Sequence, residues 1–422
     1  MKDIIKNVHI ISENYDSNDL YDIKIENGII KEIGMNLDNE DFYEINCDRM
    51  YAIPGLIDMN CRIGAPGFEQ IEDIESVSIS ASRGGFTSIT CDPSTKPVID
   101  NKAVVDYIIS KSNVYSLVNI LPYGSMTIGC DGNEMSEIGG MYKMGIVGIS
   151  DGNKSISDTG LLRNIFKYSK MFNIPIITSC DDKSVSTDGV MNEGYTSTLM
   201  GLKGIPKEAE EVFVARDIVL AESVGNKLHI STVTTKGSVQ LVREAKKRGV
   251  NITCETSPHY FILTDDYVIN YNTLAKVRPP LRTNEDRLAI IEGLKDGTID
   301  VISSFHTPIN MEYKNVEFDA AEYGISSLET TFPLSYTYLV EKGEISFESL
   351  VNKMSLNPAK ILGLKKGKIG IGEIADLTII DINNKFLLNK RNFSSKSKFA
   401  IYDNLELRGN VIYTIVGGRI IY

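Results

Sequence analysis

Between about residue 53 and residue 363, short apolar runs alternate with stretches of helical periodicity. Strands are expected at 87–91, 118–123, 146–150, 174–179, 227–233, 252–255 and 298–303. Helices are expected between them, at 74–83, 102–111, 159–172, 207–224, 238–248 and 285–296. With a further strand near Pro54, this gives about eight strand–helix units, the number that closes a (β/α)8 barrel. A doubly wound open sheet is the alternative. It is disfavoured because no G-x-G-x-x-G turn follows any of the strands.

The two ends have a different texture. Residues 1–52 hold short β-rich runs broken by Asn27-Gly28, a dipeptide that favours a tight hairpin. Apolar strands return at 370–381 and 411–422. We therefore expect residues 1–52 and 364–422 to form one small β-sandwich-like domain beside a barrel of residues 53–363. The Lys-, Asn- and Ser-rich stretch 383–398 is read as a solvated loop, and the glycine-rich stretches 138–140 and 201–204 as loops.

The formal net charge is −12, with no basic stretch, which argues against nucleic acid or an anionic membrane as partner. No apolar run approaches the roughly 20 residues of a membrane span, and the start has no signal-peptide core. A cytoplasmic protein is expected. The six cysteines are scattered without a C-x-x-C pair and are read as free buried thiols. Only four histidines are present, few for a chain that would spend imidazoles on metal.

The stretch 53–67 reads I-P-G-L-I-D-M-N-C-R-I-G-A-P-G. An apolar run ends in Asp58, and Asn60 and Arg62 follow at alternate positions. Side chains two apart on a strand share a face, so both are directed at the C-terminal mouth of a barrel, where active sites form. The stretch resembles the opening metal motif of the cyclic amidohydrolases, dihydroorotase in particular, P-G-x-I-D-x-H-x-H-x-R-E-P-G. Similar segments run through the chain: A-S-R-G-G-F-T at 81–87, G-L-K-G-I-P-K-E-A-E-E-V-F-V-A-R-D at 201–217, T-S-P-H-Y at 256–260, K-V-R-P-P-L-R-T at 276–283 and G-I-S-S-L-E-T-T-F-P-L at 324–334.

The resemblance implies a zinc-dependent ring-opening hydrolase, in which two cations activate a water and an aspartate takes its proton. It also implies where the ligands belong, and there this chain departs. Asn60 and Arg62 stand at the two histidines of the opening motif. Ser179 and Thr232 stand at two further imidazoles, and Asp151 stands at the bridging carboxylate unless a one-residue shift puts Gly152 there. Phe305 stands at the general base. Arginine offers a metal no lone pair, and a phenyl ring takes no proton. The positions of the family's substrate pocket hold Gly64, Ser94, His259, Arg278 and Ile309.

A protein without a binuclear centre, and without ordinary dihydroorotase activity, is therefore expected. No cofactor is expected. The resemblance then implies a scaffolding or regulatory role, because degenerate members of the family persist as structural partners of aspartate transcarbamoylase; a homodimer is the default assembly. The alternatives are a divergent active cyclic amidohydrolase, with Asp151, His306, His259, Arg62 and Arg278 as its groups, and an anion-binding protein. In the last, Arg62 and Arg278 converge on a carboxylate or phosphate. The competing expectation for Arg62 is an ion pair with Asp58 or Asp151. His9 and His229 are read as structural, and Asp181 and Asp182 as part of a solvated loop rather than a cation site. Lys154 has the wrong surroundings for a metal-bridging lysine.

Overall fold

The computed structural model describes residues 2–422; Met1, part of the amino-terminal reading, lies outside them. Five strands open the chain: β1 (Lys2–Ile10), β2 (Tyr21–Glu26), β3 (Ile29–Gly34), β4 (Tyr43–Asn46) and β5 (Tyr51–Pro54). Asn27 and Gly28 turn β2 into β3, both in left-handed backbone, as the dipeptide predicts.

Next come β6 (Leu56–Asp58), β7 (Phe86–Cys91), β8 (Asn119–Gly124), β9 (Gly148–Ser150) and β10 (Ile176–Ser179). A short pair, β11 (Met191–Asn192) and β12 (Gly204–Ile205), interrupts them. Then β13 (Leu228–Ser231), β14 (Ile252–Thr256) and β15 (Val301–Ile302) complete a parallel sheet of eight. The chain ends with β16 (Leu377–Asp381), the pair β17 (Phe386–Leu387) and β18 (Glu406–Leu407), then β19 (Asn410–Val416) and β20 (Arg419–Ile420). Strands β16, β19 and β20 join the amino-terminal strands in a second sheet, where β16 pairs with β5. The α/β barrel with a mixed sheet from both ends is as expected.

Several barrel helices begin where a side chain satisfies their free N–H groups. Asp73 caps helix Ile74–Arg83 in a reciprocal box with Ser76, and Thr235 caps Lys236–Lys247. Such caps stabilise by about 1 kcal/mol each. The barrel strands are almost wholly apolar or small, as strands covered on both faces must be, and Phe86, Ile89, Ile176 and Ile230 are inaccessible.

Two loop readings need correction. Residues 138–144 form a helix, Ile138–Met144, because Ile138 and Met141 bury one face and Gly145 caps its end in left-handed backbone. The stretch 383–398 is not a solvated loop. Leu388, Phe393, Ser395 and Ser397 are buried, and Ser395 Oγ is bonded to buried Glu72. The charges at its edges hide this packing from a reading of composition alone.

The strand ladder runs from β15 to β6 without a β15–β6 pairing, so side chains and loop backbone close the seam. Asp58 accepts from Ser304 N (2.7 Å) and Ser304 Oγ (2.5 Å). Beyond it, Arg62 N donates to His306 O (2.9 Å), and His306 N donates to Asn60 O (3.2 Å). Burial pushes the Asp58 carboxyl up from 3.8 to about 7, against the pull of the Ser304 donors. The folded chain thus keeps a proton that the unfolded chain releases. Asp58's contribution is fully present below pH 3.8 and is lost as pH rises to about 7. Asp58→Asn removes that loss. Its midpoint of thermal unfolding should rise relative to the parent's from about pH 4 to pH 7 and level off above. Calorimetry across this range checks it; a difference that does not change with pH contradicts it.

Candidate functional site

The barrel mouth is closed by side chains at its axis. Asn60, two residues past β6, points its amide across the barrel. Its Nδ2 donates to Glu255 Oε1 on β14 (2.8 Å), to Ser231 Oγ at the end of β13 (3.0 Å) and to Thr232 Oγ1 (3.2 Å). The space left beside it, lined by Asn60, Asp92, Tyr123, Ser150, Gly152 and Ser231, is about 10 Å³. A single water needs about 10–15 Å³.

Asp151 is not at this axis. It is buried, and it accepts from Met126 N (2.7 Å) and Thr127 N (3.0 Å) with one oxygen and from Thr127 Oγ1 with the other. Burial raises its carboxyl, and these donors oppose the rise. The neighbour that lines the axial space is Gly152, in left-handed backbone at φ +63°, where a Cβ would meet Asp92 Oδ2 at 2.6 Å. The position facing the axis therefore has no carboxylate of its own.

Arg62 does not pair with Asp58 or Asp151, since both carboxylates are engaged elsewhere. Its Nη2 donates to Ser94 Oγ (3.0 Å), and Ser94 N donates to Asp92 (2.8 Å). Arg62 makes no ion pair within 4.0 Å among the described residues. It lines a lateral cavity of about 160 Å³ with Gly64, Phe68, Ile71, Asp92, Ser94 and Pro308. Gly64, at φ +66°, leaves no room for any side chain, because a Cβ would lie 2.2 Å from Glu72 O.

Arg278 lies elsewhere. It donates to Asp181 Oδ2 (2.8 Å) and Ser186 Oγ (3.0 Å) and borders a separate space of about 20 Å³ that also contains Ser179. The expected two-arginine pocket is thus not formed. Residues 181–182 are a loop, as read, half-buried and tied down by their neighbours. Burial opposes ionisation of Asp181, yet Lys183 and Arg278 hold its carboxyl below the usual range. Asp182 caps the turn Lys183–Ser186.

Phe305 and Thr232 both adopt left-handed backbone, at φ +57° and +64°. For a phenylalanine or a β-branched residue this costs about 1–2 kcal/mol, so the surrounding packing holds the mouth in shape. The Phe305 ring is buried edge-on against His259 (5.9 Å) and Tyr260 (6.1 Å). His259 is buried with neither ring nitrogen hydrogen-bonded, and burial pushes it down to about 3, so it is neutral. His306 is a seam residue. Its Nδ1 accepts from Ser327 N (3.2 Å), and its Nε2 lies 3.6 Å from Glu72. Buried Ile309 is bonded through its backbone N and O to Ser397 Oγ (3.0 and 2.6 Å).

The residues do not fit a metal pair. At the axis Asn60 presents its N–H side, Gly152 has no side chain and Ser231 and Thr232 offer neutral hydroxyls; Asp92 and Glu255 are the carboxylates there, and Glu255 is taken up by Asn60 and Ser231. Among the described residues, no three His, Cys, Asp or Glu side chains converge on one point. The six cysteines are all free and buried.

The sequence reading passed over Glu255, His229 as its neighbour, and Asp92. Glu255 sits in the alternation Thr253, Glu255, Ser257, a polar period-two signal on an otherwise apolar strand.

A family model described as Dihydro-orotase-like matches residues 50–238, and one described as Amidohydrolase family matches residues 223–422. The chain is 48% identical over 418 residues to the dihydroorotase of Acetivibrio thermocellus, covering 99% of this chain and 98% of that protein. It is 46% identical to the dihydroorotase of Ruminiclostridium cellulolyticum, with the same coverage. Among solved structures, L-hydantoinase (dihydropyrimidinase) from Arthrobacter aurescens superposes with a TM-score of 0.88 at 25% identity, over 100% of this chain and 96% of that one. A D-hydantoinase structure gives 0.86 at 22% identity, a likeness of fold. With nearly half of its residues shared from end to end with such relatives, the chain belongs to the dihydroorotase family of cyclic amidohydrolases.

Proposed function

We propose that this chain serves pyrimidine biosynthesis as a dihydroorotase-family protein that lacks a binuclear metal centre and acts as a scaffolding or regulatory protein. The observation that carries this reading is the donor set at the axis. Asn60 gives its protons to Glu255, Gly152 has no side chain, and about 10 Å³ remains between them. Two dications with a bridging oxygen need several deprotonated ligands and far more room. Phe305 cannot serve as the base that such a hydrolysis needs. Aspartate transcarbamoylase is the proposed partner, and the proposed assembly is a homo-oligomer.

A second reading is supported by the 48% identity with a dihydroorotase over nearly the full length of both chains: a divergent enzyme that still opens or closes the ring. One assay separates the two. Purified protein supplied with zinc should cyclise carbamoyl aspartate no faster than a buffer control, and elemental analysis should find less than one zinc per chain. Turnover well above the control establishes the second reading.

The lateral cavity supports a binding role in either case. Most N–H groups of Arg62 have no protein acceptor, and Phe68, Ile71 and Pro308 wall the space beside it, which suits a small ring acid whose carboxylate meets the guanidinium. Dihydroorotate or orotate at about 100-fold its Kd should stabilise the fold by about 3 kcal/mol, visible as a shift in thermal unfolding. Arg62→Ala should abolish the shift, and Arg62→Lys should reduce it. An undiminished shift in Arg62→Ala contradicts the assignment.

A pull-down with aspartate transcarbamoylase tests the proposed partnership. Co-elution from a sizing column is expected, and separate elution at tens of micromolar contradicts it.

A further inference from the structure

The positions around the axis are filled by a cluster of polar side chains centred on Glu255. Asn60 Nδ2 bonds Glu255 Oε1 (2.8 Å), and Ser231 Oγ donates to the same oxygen (2.8 Å). The other oxygen, Glu255 Oε2, faces His229 Nε2 at 3.6 Å. His229 Nδ1 in turn shares a hydrogen bond with Thr253 Oγ1 (2.9 Å). Glu255 and His229 are both inaccessible to solvent, and neither Glu255 Oε2 nor His229 Nε2 makes a hydrogen bond, so the two face each other as the nearest polar atoms of opposite kind. Through one carboxylate and one amide the cluster ties the ends of β6, β13 and β14 together.

A carboxylate in an apolar barrel is costly unless donors surround it. The donors here come from the ends of two strands, β6 and β13, which stand at well-separated places in the sheet order and share no ladder. A metal pair bound by strand ends would brace a barrel mouth in the same way, with a cation at the centre and anionic or neutral donors around it. In this chain the polarity is reversed: the anion is at the centre and the donors surround it.

We infer that Glu255, with Asn60, Ser231 and His229 around it, is a structural plug that braces the barrel mouth in the place where a metal pair would otherwise do so. The inference rests on the reading that the mouth holds no binuclear centre. Asn60 is the key donor, since it alone crosses from the first strand.

The test is a donor–acceptor exchange read by thermal unfolding of the full-length protein, with and without EDTA. Asn60→Asp turns the donor into a second carboxylate facing Glu255 and should lower the midpoint by about 4 °C or more. Adding Glu255→Gln to Asn60→Asp swaps donor and acceptor and should recover at least half of that loss. Losses of the two substitutions that simply add would overturn the inference. If Asn60→Asp does not fold, Ser231→Ala removes one donor without adding charge. It should lower the midpoint by about 2 °C, and an unchanged midpoint would likewise overturn the inference. EDTA should leave every midpoint unmoved. A parent midpoint that falls in EDTA, with the Asn60–Glu255 coupling intact, defeats the metal-free reading and spares the brace.

Discussion

A buried carboxylate must be answered by donors, and in this barrel Glu255 is answered mainly by Asn60 and Ser231. That requirement shapes the mouth. It draws the amide of Asn60 inward across the axis and leaves about 10 Å³ beside it, about the space of one water. Arg62, two residues further along, lines the lateral cavity instead. The chemistry of one position thereby decides which space is closed and which remains open.

The seam and the small sheet secure this arrangement. Asp58 joins the first barrel strand to the segment after the last, and the backbone of His306 continues the seam beyond it. The small sheet fixes the start of β6 from below, since β5 runs into it through Gly55 and pairs with β16. Glu72 serves both the seam and the C-terminal segment, through His306 on one side and Ser395 on the other. The mouth is thus held by elements far apart in sequence, which explains how Phe305 and Thr232 keep costly left-handed backbone.

Much of the fold was legible because period and punctuation agree. Strand–helix alternation and the Asn27-Gly28 turn each speak for one local structure, and the long motifs placed the chain in its family. The axis was only half legible. Asn60 was recognisable as a position, yet its partner Glu255 was not, because a partner across the barrel leaves no trace in local spacing. Asp151 and Gly152 were inseparable in the sequence, since a shift of one residue at a strand end turns a side chain from the axis to the loop behind it. The separation of Arg62 from Arg278 was hidden for a related reason. Asp181 captures Arg278, and that pairing spans 97 residues. The packing of 383–398 was masked by its lysines, whose charges lie outward while Phe393 and Ser395 lie inward.

The proposed function requires that the axial space between Asn60, Gly152 and Ser231 hold protein and no binuclear centre. Anomalous diffraction at the zinc edge, from crystals grown with excess zinc, measures this directly. No anomalous peak is expected inside that space, with the amide of Asn60 resolved against Glu255. Two peaks about 3.5–4 Å apart at the axis would contradict it.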